Sequence, residues 1–118
     1  MQRKVARPYR FHIDACLGGK QLVRACESLL EANEQVRAHH TVYADGTGDI
    51  DWLGECAADG WVILTSDAAI LRRTEEIACV RLAAGVLVVF GQKLTAQMVI
   101  NMMPRVLPAI RGHLQAAN

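Results

Sequence analysis

The sequence predicts an α/β fold, a three-layer α/β/α sandwich around a short, mainly parallel sheet of about four strands. Three observations predict it. Short apolar, β-favouring runs alternate with segments whose apolar residues recur at helical spacing. Two of the runs, Trp61 to Thr65 and Val86 to Phe90, are continuously apolar, as strands covered on both faces are. The stretches between runs are long enough for the crossovers that parallel strands need.

The elements follow in order. Phe11-His12-Ile13 reads as a short buried strand ending in Asp14. Gly18-Gly19 makes a flexible turn. Lys20 to Glu34 is predicted helical, with Leu22, Val23, Cys26, Leu29 and Leu30 on one face and Asn33 as its stop. Val36 to Val42 alternates Val36, Ala38, His40 and Val42, which is strand periodicity. Asp45, Gly46 and Gly48 make a loop. Asp49 is expected to cap a helix running through Ala58, with Asp51 as a charge in its first turn. Asp59-Gly60 ends that helix, and Trp61 to Thr65 forms the third strand.

Asp67 to Arg73 is predicted as a short helical turn. Thr74 is expected to cap the next helix, where Glu75 and Glu76 suit the helix dipole, and Gly85 to close it. Val86 to Phe90 is the fourth strand. Leu94 to Leu114 is the final helix, capped by Thr95, which Pro104 and Pro108 are expected to bend or break. Its broad apolar set, Met98, Ile100, Met102, Met103, Val106, Leu107 and Ile110, covers the sheet and leaves a surface for a partner or a second copy of the chain. Right-handed crossovers put helices on both faces. The predicted order sets the first strand beside the third, with the second and fourth outside. Asp14 and Asp67 then become neighbours at the topological switch point.

Composition bounds the function. The 118 residues fit one domain spanning 1–118. Hydrophobic residues at 52% and charged residues at 21% exclude a disordered tail. No run approaches the ~18 continuous apolar residues of a membrane helix. The basic stretch Met1 to Arg10 lacks the apolar core of a secretory signal, so a cytoplasmic location is expected. The net charge of +1 gives no global field for nucleic acid, although Arg3, Lys4, Arg7 and Arg10 crowd the N-terminus as a solvated arm. Cys16, Cys26, Cys56 and Cys79 form no C-x-x-C pair and read as small buried apolar residues. His12 reads as a satisfied core histidine. His39 and His40, adjacent on a strand, point to opposite faces and do not share an ion. Trp52 and Trp61 read as packing anchors.

The candidate site is acidic. Asp14 and Asp67 follow strand ends and Asp49 opens the segment leading to Trp61, so the fold gathers them at the sheet edge where open α/β sheets bind ligands. Three carboxylates there suit a hard divalent cation. Asp51 is the alternative ligand if the register slips. Arg72 and Arg73 can meet a phosphate bidentately. Thr65 and Ser66 can position a water or phosphate, or cap the following turn.

The stretches Phe11-His12-Ile13-Asp14 with Leu17-Gly18-Gly19-Lys20, then Gly48-Asp49-Ile50-Asp51-Trp52-Leu53, then Gly60-Trp61-Val62-Ile63-Leu64-Thr65-Ser66-Asp67, resemble the PIN-like family. These are short relatives of PIN-domain ribonucleases, many of them similar to the VapC toxins of toxin–antitoxin pairs. The resemblance runs from Arg10 through the terminal helix. It implies that Asp14, Asp49 and Asp67 hold Mg²⁺ or Mn²⁺ and are catalytic. It implies phosphate-binding roles for Lys20, Arg72 and Arg73. It also implies an RNA substrate and an antitoxin protein as partner. In one respect the chain departs from the pattern. The family usually supplies a fourth acid further along, and the region after Asp67 offers only Glu75 and Glu76. Two other functions compete. One is a non-catalytic PIN-like scaffold acting through dimer or partner contacts. The other is a phosphatase, disfavoured because Asp14 is followed by Ala15-Cys16 and not by D-x-D.

Overall fold

A computed structural model of the chain describes residues 5–91 and 93–117. Arg3 and Lys4 of the basic arm lie outside the described residues. The elements are β1 (Arg10–Ile13), α1 (Lys20–Glu27), β2 (Gln35–Ala38), α2 (Asp49–Ala58), β3 (Val62–Thr65), α3 (Thr74–Leu82), β4 (Val86–Val89) and α4 (Ala96–Ala117). The four strands form one parallel sheet in the order β2-β1-β3-β4. This is the predicted α/β architecture, with β1 beside β3.

The alternation of side chains sorts the sheet into two cores. Phe11, Ile13, Val62 and Leu64 pack with Leu22 and Cys26 of α1 and with Val99, Met103, Leu107 and Leu114 of α4. Ile63 packs on the other face with Trp52, Leu53, Cys56 and Ala57 of α2 and Val80 of α3. Both faces are covered, which is why β3 as far as Leu64, and β4, are apolar without interruption.

Several boundaries differ from the sequence reading. α1 stops at Glu27, not Glu34, because Ser28 turns its hydroxyl to the Ala25 carbonyl at 2.9 Å. The released segment is pinned by Arg111 of α4, which is buried, donates to both Glu34 carboxylate oxygens and gives 2.8 Å to the Leu29 carbonyl. β2 ends at Ala38, and His39–Thr41 form a 3-10 turn closed by the Thr41 hydroxyl on the Ala38 carbonyl at 2.7 Å. Thr74 is the first helical residue of α3, and Arg73 stands at its N-cap. Gly48, not Asp49, is the N-cap of α2.

α4 does begin at the Thr95 cap, whose hydroxyl accepts from the Met98 N–H at 3.2 Å. It continues through both prolines as one helix. Pro104 and Pro108 are exposed and four residues apart, so the carbonyls they leave without an intrahelical partner lie on the solvent side. Among the described residues no helix is long and apolar enough to cross a membrane.

Two features of the α2 face carry consequences. A Cβ on Gly85 would stand 2.6 Å from the Ala57 Cβ, so only glycine lets β4 approach α2. Gly85→Ala is expected to cost about 1–3 kcal/mol by overpacking, read as a lower urea midpoint. An unchanged midpoint would show that the strand can step aside.

The second feature is His12, which is fully buried on this face. Its Nδ1 accepts from Arg37 Nε at 2.9 Å, and its Nε2 lies 3.1 Å from His39 Nδ1. An arginine only donates, so the His12 proton sits on Nε2 and is given to His39. Arg37 in turn lies 3.8 Å over the Trp61 ring and reaches the Cys56 sulfur. Burial, then the charge of Arg37, then His39, push the His12 pKa down to about 3. In the unfolded chain the ring takes up a proton below its ordinary 6.5, while the folded ring does not. Stability therefore falls as pH drops from 6.5 towards 3, by about 1.4 kcal/mol per unit from this group. Denaturant titrations of wild type and His12→Gln between pH 7 and 5 measure it, and the variant should show the shallower slope.

Candidate functional site

Asp14 ends β1, and its N–H extends the ladder to the Leu64 carbonyl at 2.9 Å. One carboxylate oxygen accepts from the Ala15 N–H at 2.8 Å and caps the 3-10 turn Ala15–Leu17. The other accepts from the Thr65 hydroxyl at 2.8 Å. Thr65 is fully buried, and its oxygen also accepts the Asp67 N–H at 3.0 Å. One hydroxyl thus ties the ends of β1 and β3 together. The Thr65 hydroxyl is buried and engaged by Asp14 and the Asp67 N–H.

Asp67 caps the 3-10 turn Ala68–Arg72 by accepting the Ala69 N–H at 3.1 Å. Its second oxygen lies 3.1 Å from Arg73 Nη1. Asp49 arrives from the start of α2. It makes no backbone cap; its Oδ1 accepts the Trp52 indole N–H at 3.0 Å, and its Oδ2 stands 3.7 Å from the same Arg73 Nη1. Glu76, in the first turn of α3 and only 9% exposed, brings an oxygen to 3.2 Å from that nitrogen. Asp49 and Asp67 therefore meet at Arg73, and Asp14 adjoins them through Thr65. Hydrogen bonding to Glu76, then the charge of Asp67, raises the Arg73 pKa above the ordinary arginine value.

The other predicted residues sort by exposure. Lys20 and Arg72 are exposed, and among the described residues neither forms an ion pair. Ser66 is half-buried and gives its N–H to the Cys16 sulfur at 3.3 Å. Asp51 is exposed in the first turn of α2, outside the acidic group. Arg7 is exposed, whereas Arg10 pairs with Asp59 and lies over Trp61.

The sequence reading did not place Cys16 in the site, and offered Glu76 only beside Glu75 as the acids after Asp67. Cys16, expected to be buried, is exposed, with its sulfur 3.4 Å from the Thr65 hydroxyl and 3.5 Å from Asp14. Glu76 is a fourth acid, and its spacing of three from Arg73 on a helix start is the signal that could have found it.

The donor set is all carboxylate oxygen, the chemistry that Mg²⁺ or Mn²⁺ requires. Asp14, Asp49, Asp67 and Glu76 are the residues that would hold such an ion. As they stand, no three acidic, histidine or cysteine side chains among the described residues are grouped to grip one. The positive charge at the junction of Asp49, Asp67 and Glu76 is the Arg73 guanidinium. The carboxylate donors are the kind a divalent cation takes, but their junction is occupied by the Arg73 guanidinium.

A family model described as a PIN-like domain matches residues 9–92, which is more than half of the chain. No curated protein and no solved structure matches the chain significantly. The matched span holds β1 through β4 and every acid named above. By that match and by the parallel β2-β1-β3-β4 sheet with its acidic carboxyl edge, the chain belongs to the PIN-like domain family.

Proposed function

We propose that the protein is a Mg²⁺- or Mn²⁺-dependent ribonuclease, the toxin of a toxin–antitoxin pair, working in the cytoplasm. The observation that carries this reading is the meeting of Asp49, Asp67 and Glu76 within 3.7 Å of one positive nitrogen, with Asp14 tied alongside through Thr65. A bound divalent ion supplies an activated water and neutralises charge on the phosphate. The chain supplies fixed oxygen ligands: Asp14, Asp67 and Asp49 are each held by a neutral donor within the fold. Lys20 and Arg72, exposed and without an ion pair among the described residues, can take phosphate oxygens. A groove beside the start of α1 carries Lys20 and Arg24 among apolar residues, with Glu27 as its one acid, and these two cations can meet the RNA backbone. A nuclease of this kind needs restraint in the cell, and an antitoxin segment covering the acidic edge supplies it.

A second reading has its own support. Arg73 already neutralises three acids, as it would in a non-catalytic PIN-like module. Such a module would act through α4, where Met98 is half-exposed, as a homodimer or with a partner protein.

Mn²⁺-dependent cleavage of single-stranded RNA separates the two. Asp14→Asn and Asp67→Asn are expected to lower the rate about a hundredfold or more while circular dichroism stays that of the folded protein. Cleavage equal in wild type and variants would reject the assignment. Absence of cleavage and of Mn²⁺ binding heat in the wild type would favour the scaffold. Co-expression with the product of an adjacent small reading frame tests the pair: a stable complex that suppresses cleavage is the expected outcome.

A further inference from the structure

We infer that Arg73 is an exchangeable internal counter-ion, holding Asp49, Asp67 and Glu76 in the metal-free protein and displaced from them when a divalent cation binds. This deepens the ribonuclease reading and rests on it.

Two arginines of the same chain make the comparison. Arg111 is 7% exposed, uses Nε and Nη2 on Glu34, and also serves the Leu29 carbonyl. That is a planar, multidentate and buried attachment, the permanent kind. Arg73 has a side chain 46% exposed and meets all three of its acids through Nη1 alone. It is held by charge and not by the fork geometry of a guanidinium. Half-exposed pairs of this kind are weak and open readily.

Two of the three acids do not depend on Arg73 for their places. Asp67 is fixed by the Ala69 N–H and Asp49 by the Trp52 indole. Removing the guanidinium leaves these two carboxylates where they are, and takes from the nearly buried Glu76 its one side-chain partner among the described residues. Uncompensated carboxylates at short range repel, and a buried one is costly. A dication entering this edge therefore meets one competitor, and that competitor is tethered at the N-cap of α3. Once displaced, Arg73 remains at the cleft as a third cation for the phosphate, beside Arg72.

The test is Mn²⁺ affinity, measured by calorimetry on the whole chain at fixed salt. Arg73→Gln is expected to bind Mn²⁺ about tenfold or more tightly than wild type, because a seated positive charge has been removed. Arg73→Lys should fall between the two. Arg72→Gln, which removes a neighbouring charge that sits on no acid, should change affinity less than about twofold. A second readout needs no variant to bind metal. The Arg73 Nε–H signal in ¹⁵N NMR, assigned by its loss in Arg73→Gln, should exchange faster with water when Mg²⁺ is added.

Equal Mn²⁺ affinity for wild type and Arg73→Gln, with the wild type still cleaving RNA, would overturn the counter-ion and leave the nuclease standing. Equal gains from Arg72→Gln and Arg73→Gln would also overturn it, as a general field effect. If neither wild type nor Arg73→Gln binds Mn²⁺ and RNA stays intact, the nuclease reading falls as well.

Discussion

Carboxylates from three elements, Asp49 of α2, Asp67 after β3 and Glu76 of α3, approach one guanidinium nitrogen to within 3.7 Å. The parallel sheet makes this meeting unavoidable. With β1 beside β3 and each strand followed by its crossover, the residues after the strands crowd the same edge. Negative groups brought so close need an opposite charge among them. Arg73 meets that need without leaving the local chain, from a position between the 3-10 turn and α3.

The α2 face of the sheet shows how the acids can be placed without relying on that charge. A polar column runs beneath them. Arg37 donates to His12, His12 to His39, and the His12 ring stacks on Trp52 at 5.5 Å. Trp52 then gives its indole N–H to Asp49. Each buried donor has a partner, and among the described residues no buried side-chain polar atom lacks one. A fully satisfied network in a low-dielectric interior is rigid. Asp49 therefore inherits its position from the core and not from its ionic neighbour.

The strands, their order and the acids at strand ends were legible in the sequence because they follow from local pattern. Continuous apolar runs specify covered strands, and chain order with right-handed crossovers specifies which strands touch. Element ends were less legible. The Ser28 hydroxyl ends α1 by a bond to its own backbone, and nothing in the apolar spacing of Leu29 and Leu30 records it. The same holds for Thr41, which converts the second half of a strand-like alternation into a 3-10 turn. At the site, Asp14, Asp49 and Asp67 could be read from position. The part of Glu76 could not, because a glutamate in a first helical turn has a sufficient reason to be there in the helix dipole. Nor could the sequence divide Arg72 from Arg73. Adjacent arginines look alike on paper, and which one faces the acids is decided by the turn that carries them.

That division between neighbours bears on the two functional readings. Both use the same fold and the same four acids, and they differ only in whether a guanidinium yields its place. The chain carries an arginine that is bound on many sides, Arg111, and one bound through a single nitrogen, Arg73. A permanent structural clamp would be expected to resemble the first, with its charge buried and its donors used. Arg73 stays half in solvent, at the mouth of a site where Asp67 and Asp49 are already held by the Ala69 N–H and the Trp52 indole. Asp49 and Asp67 are thus placed by neutral donors and only neutralised by Arg73, which leaves the guanidinium as the part of the cluster least bound by the fold.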